Sequence, residues 1–163
     1  MKKEMTGQQA YQKLTDLCAR SEHCQHDLTE KMRRWGMTDE AQARVMQRLV
    51  SERYVDDERY ARAFVKDKIL YNKWGRRKVE QALWTKRISD DIRTAVLAEV
   101  DDEQYLSVLR PLLKQKRRSI KAASDYEQNQ KLVKFALSRG FTYDIIRQCL
   151  DIEEEEEETW MSS

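Results

Sequence analysis

Apolar residues recur along this chain at helical spacing. Leu14, Leu17 and Cys18 make one stripe, Leu28 and Met32 a second, Val45, Met46, Leu49 and Val50 a third, and Tyr60, Phe64 and Val65 a fourth. Steps of three and four residues put such side chains on one helix face and leave the polar residues on the other. The pattern predicts helices at 6–20, 25–35, 39–53, 57–71, 76–87, 90–99, 102–122, 125–138 and 143–152. Four glycines and one proline are too few for a turn-rich β fold, because strand reversals consume those residues. The expected fold class is therefore all-α. Pro111 falls inside the seventh helix, where it removes an amide donor and crowds the Ser107 carbonyl, so a kink or a break is expected there.

The apolar pattern also repeats over a longer period. With Met37, Ile88 and Phe141 as pivots, Leu28, Val79 and Leu132 stand nine residues before, and Met32, Leu83 and Ala136 five before. Ala41, Ile92 and Ile145 stand four after. Each pivot is followed by a hydroxyl residue suited to an N-cap, Thr38, Ser89 or Thr142, with an acid within two further positions. Val55-Asp-Asp-Glu-Arg-Tyr60 returns as Val100-Asp-Asp-Glu-Gln-Tyr105, opening the third helix of each unit. The expectation is tandem three-helix repeats forming an elongated, curved helical array. Residues 1–71 hold a leading helix plus repeat 1, 72–122 repeat 2, 123–152 a shortened repeat 3, and 153–163 a flexible acidic tail.

Charge sharpens this picture. Charged residues make up 37% of the chain, which suits helices with narrow apolar stripes and a thin core. The net charge of +2 hides an asymmetry: residues 151–163 hold seven acids, including the run Glu153 to Glu158, and no base. Residues 1–150 hold all 31 Lys and Arg against 22 Asp and Glu. A body of that sign favours polyanions. No apolar run approaches the ~18 residues of a membrane span, and the start lacks a secretory pattern, so a cytoplasmic protein is expected.

Several chemistries find no residues. The glycines stand at 7, 36, 75 and 140, so neither a dinucleotide fingerprint nor a P-loop can be assembled. Cys18, His23, Cys24 and His26 match no zinc spacing, and Cys18 falls on an apolar stripe where a buried thiol is ordinary. No disulfide framework, no metal, no cofactor and no catalytic residue is expected.

Basic residues instead gather in runs. Residues 66–87 contain Lys66, Lys68, Lys73, Arg76, Arg77, Lys78, Lys86 and Arg87 against only Asp67 and Glu80. Residues 110–121 contain Arg110, Lys114, Lys116, Arg117, Arg118 and Lys121 with no acid, and Lys31, Arg33 and Arg34 form a smaller cluster. At 100° per residue, Arg77, Gln81 and Trp84 lie opposite Val79 and Leu83, giving a basic face with an indole suited to phosphates and stacked bases. The competing reading is a solvated helix surface, with Trp84 packed on the next repeat. The residues expected to bind are Lys31, Arg33, Arg34, Lys66, Lys73, Arg76, Arg77, Lys78, Trp84, Lys86, Arg87, Lys114, Arg117 and Arg118.

Four ordered stretches resemble the RecX family, regulators of the RecA recombinase. They are Arg20-Ser-Glu-His-Cys-Gln-His-Asp-Leu28; Leu49-Val-Ser-Glu-Arg-Tyr-Val-Asp-Asp-Glu-Arg-Tyr-Ala61 with Phe64-Val65; Trp74-Gly-Arg-Arg-Lys-Val79 with Leu83 and Ile88; and Lys131-Leu-Val-Lys-Phe135 through Arg139-Gly-Phe141 and Tyr143. Together they span roughly residues 10–150. Departures are Cys24, where the family usually has Ser, Arg76, where many members place Pro, and the six-Glu run. The resemblance implies a monomeric, non-enzymatic helical repeat protein that binds along the groove of the RecA–DNA filament. There it restrains ATP hydrolysis, strand exchange and co-protease activity. It implies weak binding of single- and double-stranded DNA without sequence preference. The alternative is an autonomous helix-turn-helix-like nucleic-acid-binding protein, which predicts sequence preference and a dimer.

Overall fold

A computed structural model describes residues 5–150 of the chain. Among these residues every regular element is a helix: α1 Gly7–Arg20, α2 Gln25–Arg34, α3 Asp39–Ser51, α4 Asp57–Leu70, α5 Arg76–Thr85, α6 Asp90–Ala98, α7 Asp102–Ser119, α8 Asp125–Ser138 and α9 Tyr143–Cys149. The acidic residues assigned to a tail lie outside the described residues.

The expected period is built into the turns. Met37, Ile88 and Phe141 each donate their N–H to the carbonyl five residues back, on Met32, Leu83 and Ala136, at 3.2 Å in all three cases. The residue before each pivot is left-handed: Gly36 at φ 77°, Arg87 at 57° and Gly140 at 92°. This closes the preceding helix by satisfying its last carbonyls. The following helix is then capped by Thr38, which accepts from the Ala41 N–H at 3.2 Å, and by Ser89, which accepts from Ile92 at 3.4 Å. Thr142 occupies the same place but its hydroxyl makes no cap bond, a departure from the expected capping. The recurring Asp pair also acts as foreseen: Asp56 accepts the Glu58 and Arg59 N–H groups at 3.0 Å, and Asp101 forms a capping box with Gln104.

The described residues divide into two compact units, 5–64 with 83–96 and 65–82 with 97–150, so the residues of α4, α5 and α6 are each divided between them. In unit 1, α1 and α2 pack on α3 around Ala10, Leu14, Leu28, Met32, Met37, Val45, Leu49 and Val55. The buried Gln42 amide donates to the Met37 carbonyl at 2.9 Å, so the polar group in this core is satisfied. Cys24 begins α2 without a side-chain cap bond, and Asp57 of α4 substitutes by accepting the Gln25 N–H at 2.8 Å. Burial then raises the Asp57 pKa.

In unit 2, α7, α8 and α9 pack on one another, with Leu109, Leu132, Ala136, Phe141 and Ile146 almost fully buried. α7 runs without a break through Pro111, against the alternative of a helix end. Pro111 and Ser107 are both on the exposed side, where water can serve the unpaired carbonyl, while Tyr105, Leu106, Val108, Leu109 and Leu113 anchor the other side.

Candidate nucleic-acid interface

The interface of unit 2 begins with two glycines. The Gly75 N–H donates to the Arg139 carbonyl at 2.8 Å and the Arg77 N–H to the Gly140 carbonyl at 3.0 Å. These bonds satisfy amides at the start of α5 that the helix itself leaves open. A Cβ on Gly75 would overlap the Phe141 backbone, and one on Gly140 would run into Lys78. Backbone therefore lies directly on backbone, and Arg76, Arg77 and Lys78 are fixed beside Arg139.

Cations and rings interleave around this junction. Trp74 carries the Lys68 ammonium 5.1 Å and the Lys78 ammonium 4.9 Å from its ring centre. Phe135 carries Lys116 at 5.0 Å and the Arg139 guanidinium at 5.2 Å. Ring quadrupoles attract such cations without neutralising them, so Lys78, Lys116 and Arg139 keep their charge. Arg76 and Arg77 are exposed, as are Lys66, Lys114, Arg117 and Arg118, and none of the six has an ion-pair partner among the described residues. Lys73 is exposed and left-handed at φ 57°, its ammonium donating to the Leu70 carbonyl at 3.3 Å. Lys68, Trp74 and Lys116 fall inside the charge runs but outside the expected binding set, and Phe135 and Arg139 fall outside both. The signal that could have found them is the glycine pair, which no local pattern connects.

The unit 1 candidates are placed differently. Lys86 donates to both Asp27 oxygens, at 3.1 and 3.0 Å, tying the end of α5 to the start of α2. Its ammonium is engaged in the fold. Arg33 pairs with Glu30 one turn away at 2.7 Å, and such exposed pairs contribute little. Lys31 is half-buried, and Arg34 and Arg87 are exposed. Trp84 is 66% exposed, so it does not pack into another repeat. Among the described residues no group of three or more His, Cys, Asp or Glu is arranged to hold a metal, and no helix is long and apolar enough to cross a membrane. Burial raises the Cys24 thiol to about 11, the opposite of an activated nucleophile.

Comparison with known proteins agrees with this arrangement of helices. The family model for the second three-helix domain of RecX matches residues 56–97, and that for the third matches residues 102–150. These ranges embrace α4–α6 and α7–α9, each opening on an Asp-capped helix. Regulatory protein RecX of Vibrio campbellii is 29% identical over 140 residues, covering 86% of this chain and 88% of that protein. Its counterpart in Clostridium perfringens strain SM101 is 31% identical over 120 residues; the match takes in 72% of this chain and 56% of the relative, so little more than half of that longer protein is spanned. The crystal structure of RecX from Lactobacillus salivarius superposes with a TM-score of 0.78 at 19% identity, covering 88% of this chain and 93% of that one. A second crystal structure of a regulatory protein RecX gives 0.82 at 18% identity, covering 90% and 73%. At these identities the structures speak for the fold alone.

Proposed function

This chain belongs to the RecX family, and from that premise we propose that it regulates the RecA recombinase, mainly as an inhibitor, by docking on the RecA–DNA filament. It restrains ATP hydrolysis, strand exchange and co-protease activity without being an enzyme itself. The observation that supports this reading most is the junction of unit 2, where Lys78 lies over Trp74, Arg139 over Phe135, and Arg76 and Arg77 start the helix bonded to the Arg139–Gly140 turn. Exposed Arg76 and Arg77 beside half-buried cations held over rings suit a phosphate backbone and, with no base-reading geometry, bind it without sequence preference.

The partners are the filament and, more weakly, single- and double-stranded DNA; the protein acts in the cytoplasm as a monomer. Serial helical repeats, read as residues 1–71 (a leading helix plus repeat 1), 72–122 (repeat 2) and 123–152 (a shortened repeat 3), supply several weak contacts that gain from effective concentration. Within the binding set, Arg76, Arg77, Lys66, Lys73, Lys114, Arg117 and Arg118 face the polyanion, whereas Lys86 acts through Asp27 on the fold.

Paired charge reversal tests the assignment. Arg76→Glu with Arg77→Glu should lower affinity for single-stranded DNA by about tenfold or more and reduce the salt slope by about one for each phosphate no longer neutralised. Lys78 is left in place because it packs on Trp74. The matching unit 1 pair, Arg33→Glu with Arg34→Glu, should have the smaller effect. Equal losses from both pairs, measured by salt-titrated fluorescence anisotropy, would move the interface away from the unit 2 junction.

A further inference from the structure

Tyr105 presents an inconsistency that the repeat itself exposes. The ring is buried in unit 2, 4% exposed, and its hydroxyl has no hydrogen-bond partner. Its counterpart in the recurring Val-Asp-Asp-Glu stretch, Tyr60, lies beside the Cys24 thiol. Cys24 stands just before α2, and the residue just before α5 is Gly75, each thirteen positions ahead of its pivot. Gly75 has no side chain to offer because the Phe141 backbone occupies that space. The docking that builds the junction thus leaves a donor unused, and a buried unpaired hydroxyl is costly unless something else serves it.

Tyr105 lines an open cleft of about 370 Å³ together with Arg76, Arg77 and Thr142, and its hydroxyl lies beneath that wall with almost no accessible surface of its own. Thr142 is the one of the three repeat hydroxyls that makes no cap bond, so it too has capacity to spare. Two acids line the cleft as well. Asp144 is already paired with Arg147 at 2.8 Å, leaving Asp102 to set against two guanidiniums. The balance suits one singly charged oxyanion.

We propose that this cleft is a phosphodiester subsite, taking one backbone phosphate of a bound nucleic-acid strand between Arg76, Arg77, the Thr142 hydroxyl and the Tyr105 hydroxyl at its floor. The guanidiniums supply charge and the two neutral hydroxyls supply position, the Tyr105 O–H reaching a phosphate oxygen directly or through one bridging water. The inference rests on the nucleic-acid reading of the unit 2 junction and names the place where a phosphate is held.

Tyr105→Phe removes only the hydroxyl, and in a fold that leaves it unpaired the melting temperature should stay level or rise. Affinity for a single-stranded oligothymidylate should fall about three- to tenfold, with the salt slope unchanged because no charge is lost. Inorganic phosphate added at constant ionic strength should displace the oligonucleotide from the parent more effectively than chloride, and should lose that advantage in Tyr105→Phe. Thr142→Val should weaken binding in the same way. Parent-like affinity in both variants would overturn the subsite while leaving charge-based binding intact. A fall in melting temperature for Tyr105→Phe would also overturn it, since the hydroxyl would then be serving the fold. No DNA binding by the parent protein would remove the nucleic-acid reading and this subsite with it.

Discussion

Unit 1 and unit 2 share one turn geometry and differ in charge. Each pivot turn closes with the same 3.2 Å bond from a left-handed residue's successor. Yet among the described residues, 5–64 with 83–96 carry 13 Lys and Arg against 12 Asp and Glu, whereas 65–82 with 97–150 carry 16 against 9. Many unit 1 cations are also consumed locally, as Lys86 is by Asp27, Arg59 by Glu22 and Arg93 by Asp90. The repeat therefore specifies how helices join, and surface charge laid over it specifies what each unit can bind. The two layers are separable because turn geometry is fixed by backbone bonds and small residues, while exposed side chains are nearly free to vary.

The glycines offer the harshest test of that separation. Gly75→Ala forces a methyl into the Phe141 backbone and should destabilise unit 2 by about 3 kcal/mol or more. Gly36→Ala meets nothing within 4 Å and suffers only its positive φ, so about 1 kcal/mol is expected. Urea unfolding followed by circular dichroism would read both. Comparable losses would mean that the close approach of Gly75 to the Phe141 backbone does not hold unit 2 together.

Arg87 sharpens the comparison from the other side. It holds the left-handed position that Gly36 and Gly140 hold in the sister turns, and its side chain has no ion-pair partner among the described residues. Arg87→Gly should stabilise the protein by up to about 1 kcal/mol by relieving the backbone. If filament binding falls at the same time, the arginine is kept for its charge. A loss of stability instead would show that its side chain supports unit 1.

A smaller effect appears in alkali. Cys24 is pushed up to about 11 mainly by burial, with Asp27 and Asp57 nearby adding to the rise, and burial also raises Tyr60, which packs beside it. A raised pKa contributes fully below the unfolded thiol's value near 9 and is lost as pH climbs through the folded value. Stability should hold to about pH 9 and decline toward 11, and Cys24→Ser should flatten that decline. An identical slope in parent and variant would discharge the thiol from the effect.

The sequence carries much of the fold because thin cores force strict helical periodicity. Predicted and observed starts of α2 through α9 coincide, with Thr, Ser or Asp standing before every one of them except α2, which follows Cys24, and α5, which follows Gly75. Helix ends are less legible where no glycine announces them. The apolar period carries α3 to 53 and α5 to 87, and both stop two residues earlier because Arg53 and Arg87 turn left-handed. Arginine gives no warning of that conformation. Of the interface, the density of Arg76, Arg77 and Lys78 is visible in the sequence, but their setting is not. The meeting of Gly75 with Arg139 and Phe141 joins distant parts of the chain, and only tertiary packing brings Trp74, Phe135 and their cations to one junction.

The most direct test of the account is RecA's ATP hydrolysis on single-stranded DNA, titrated with this protein and with its Arg76→Glu, Arg77→Glu variant. Docking through Arg76 and Arg77 predicts a dose-dependent fall with the parent protein and a shift of the inhibitory range to markedly higher concentration with the variant. Undiminished hydrolysis at saturating parent protein would contradict it.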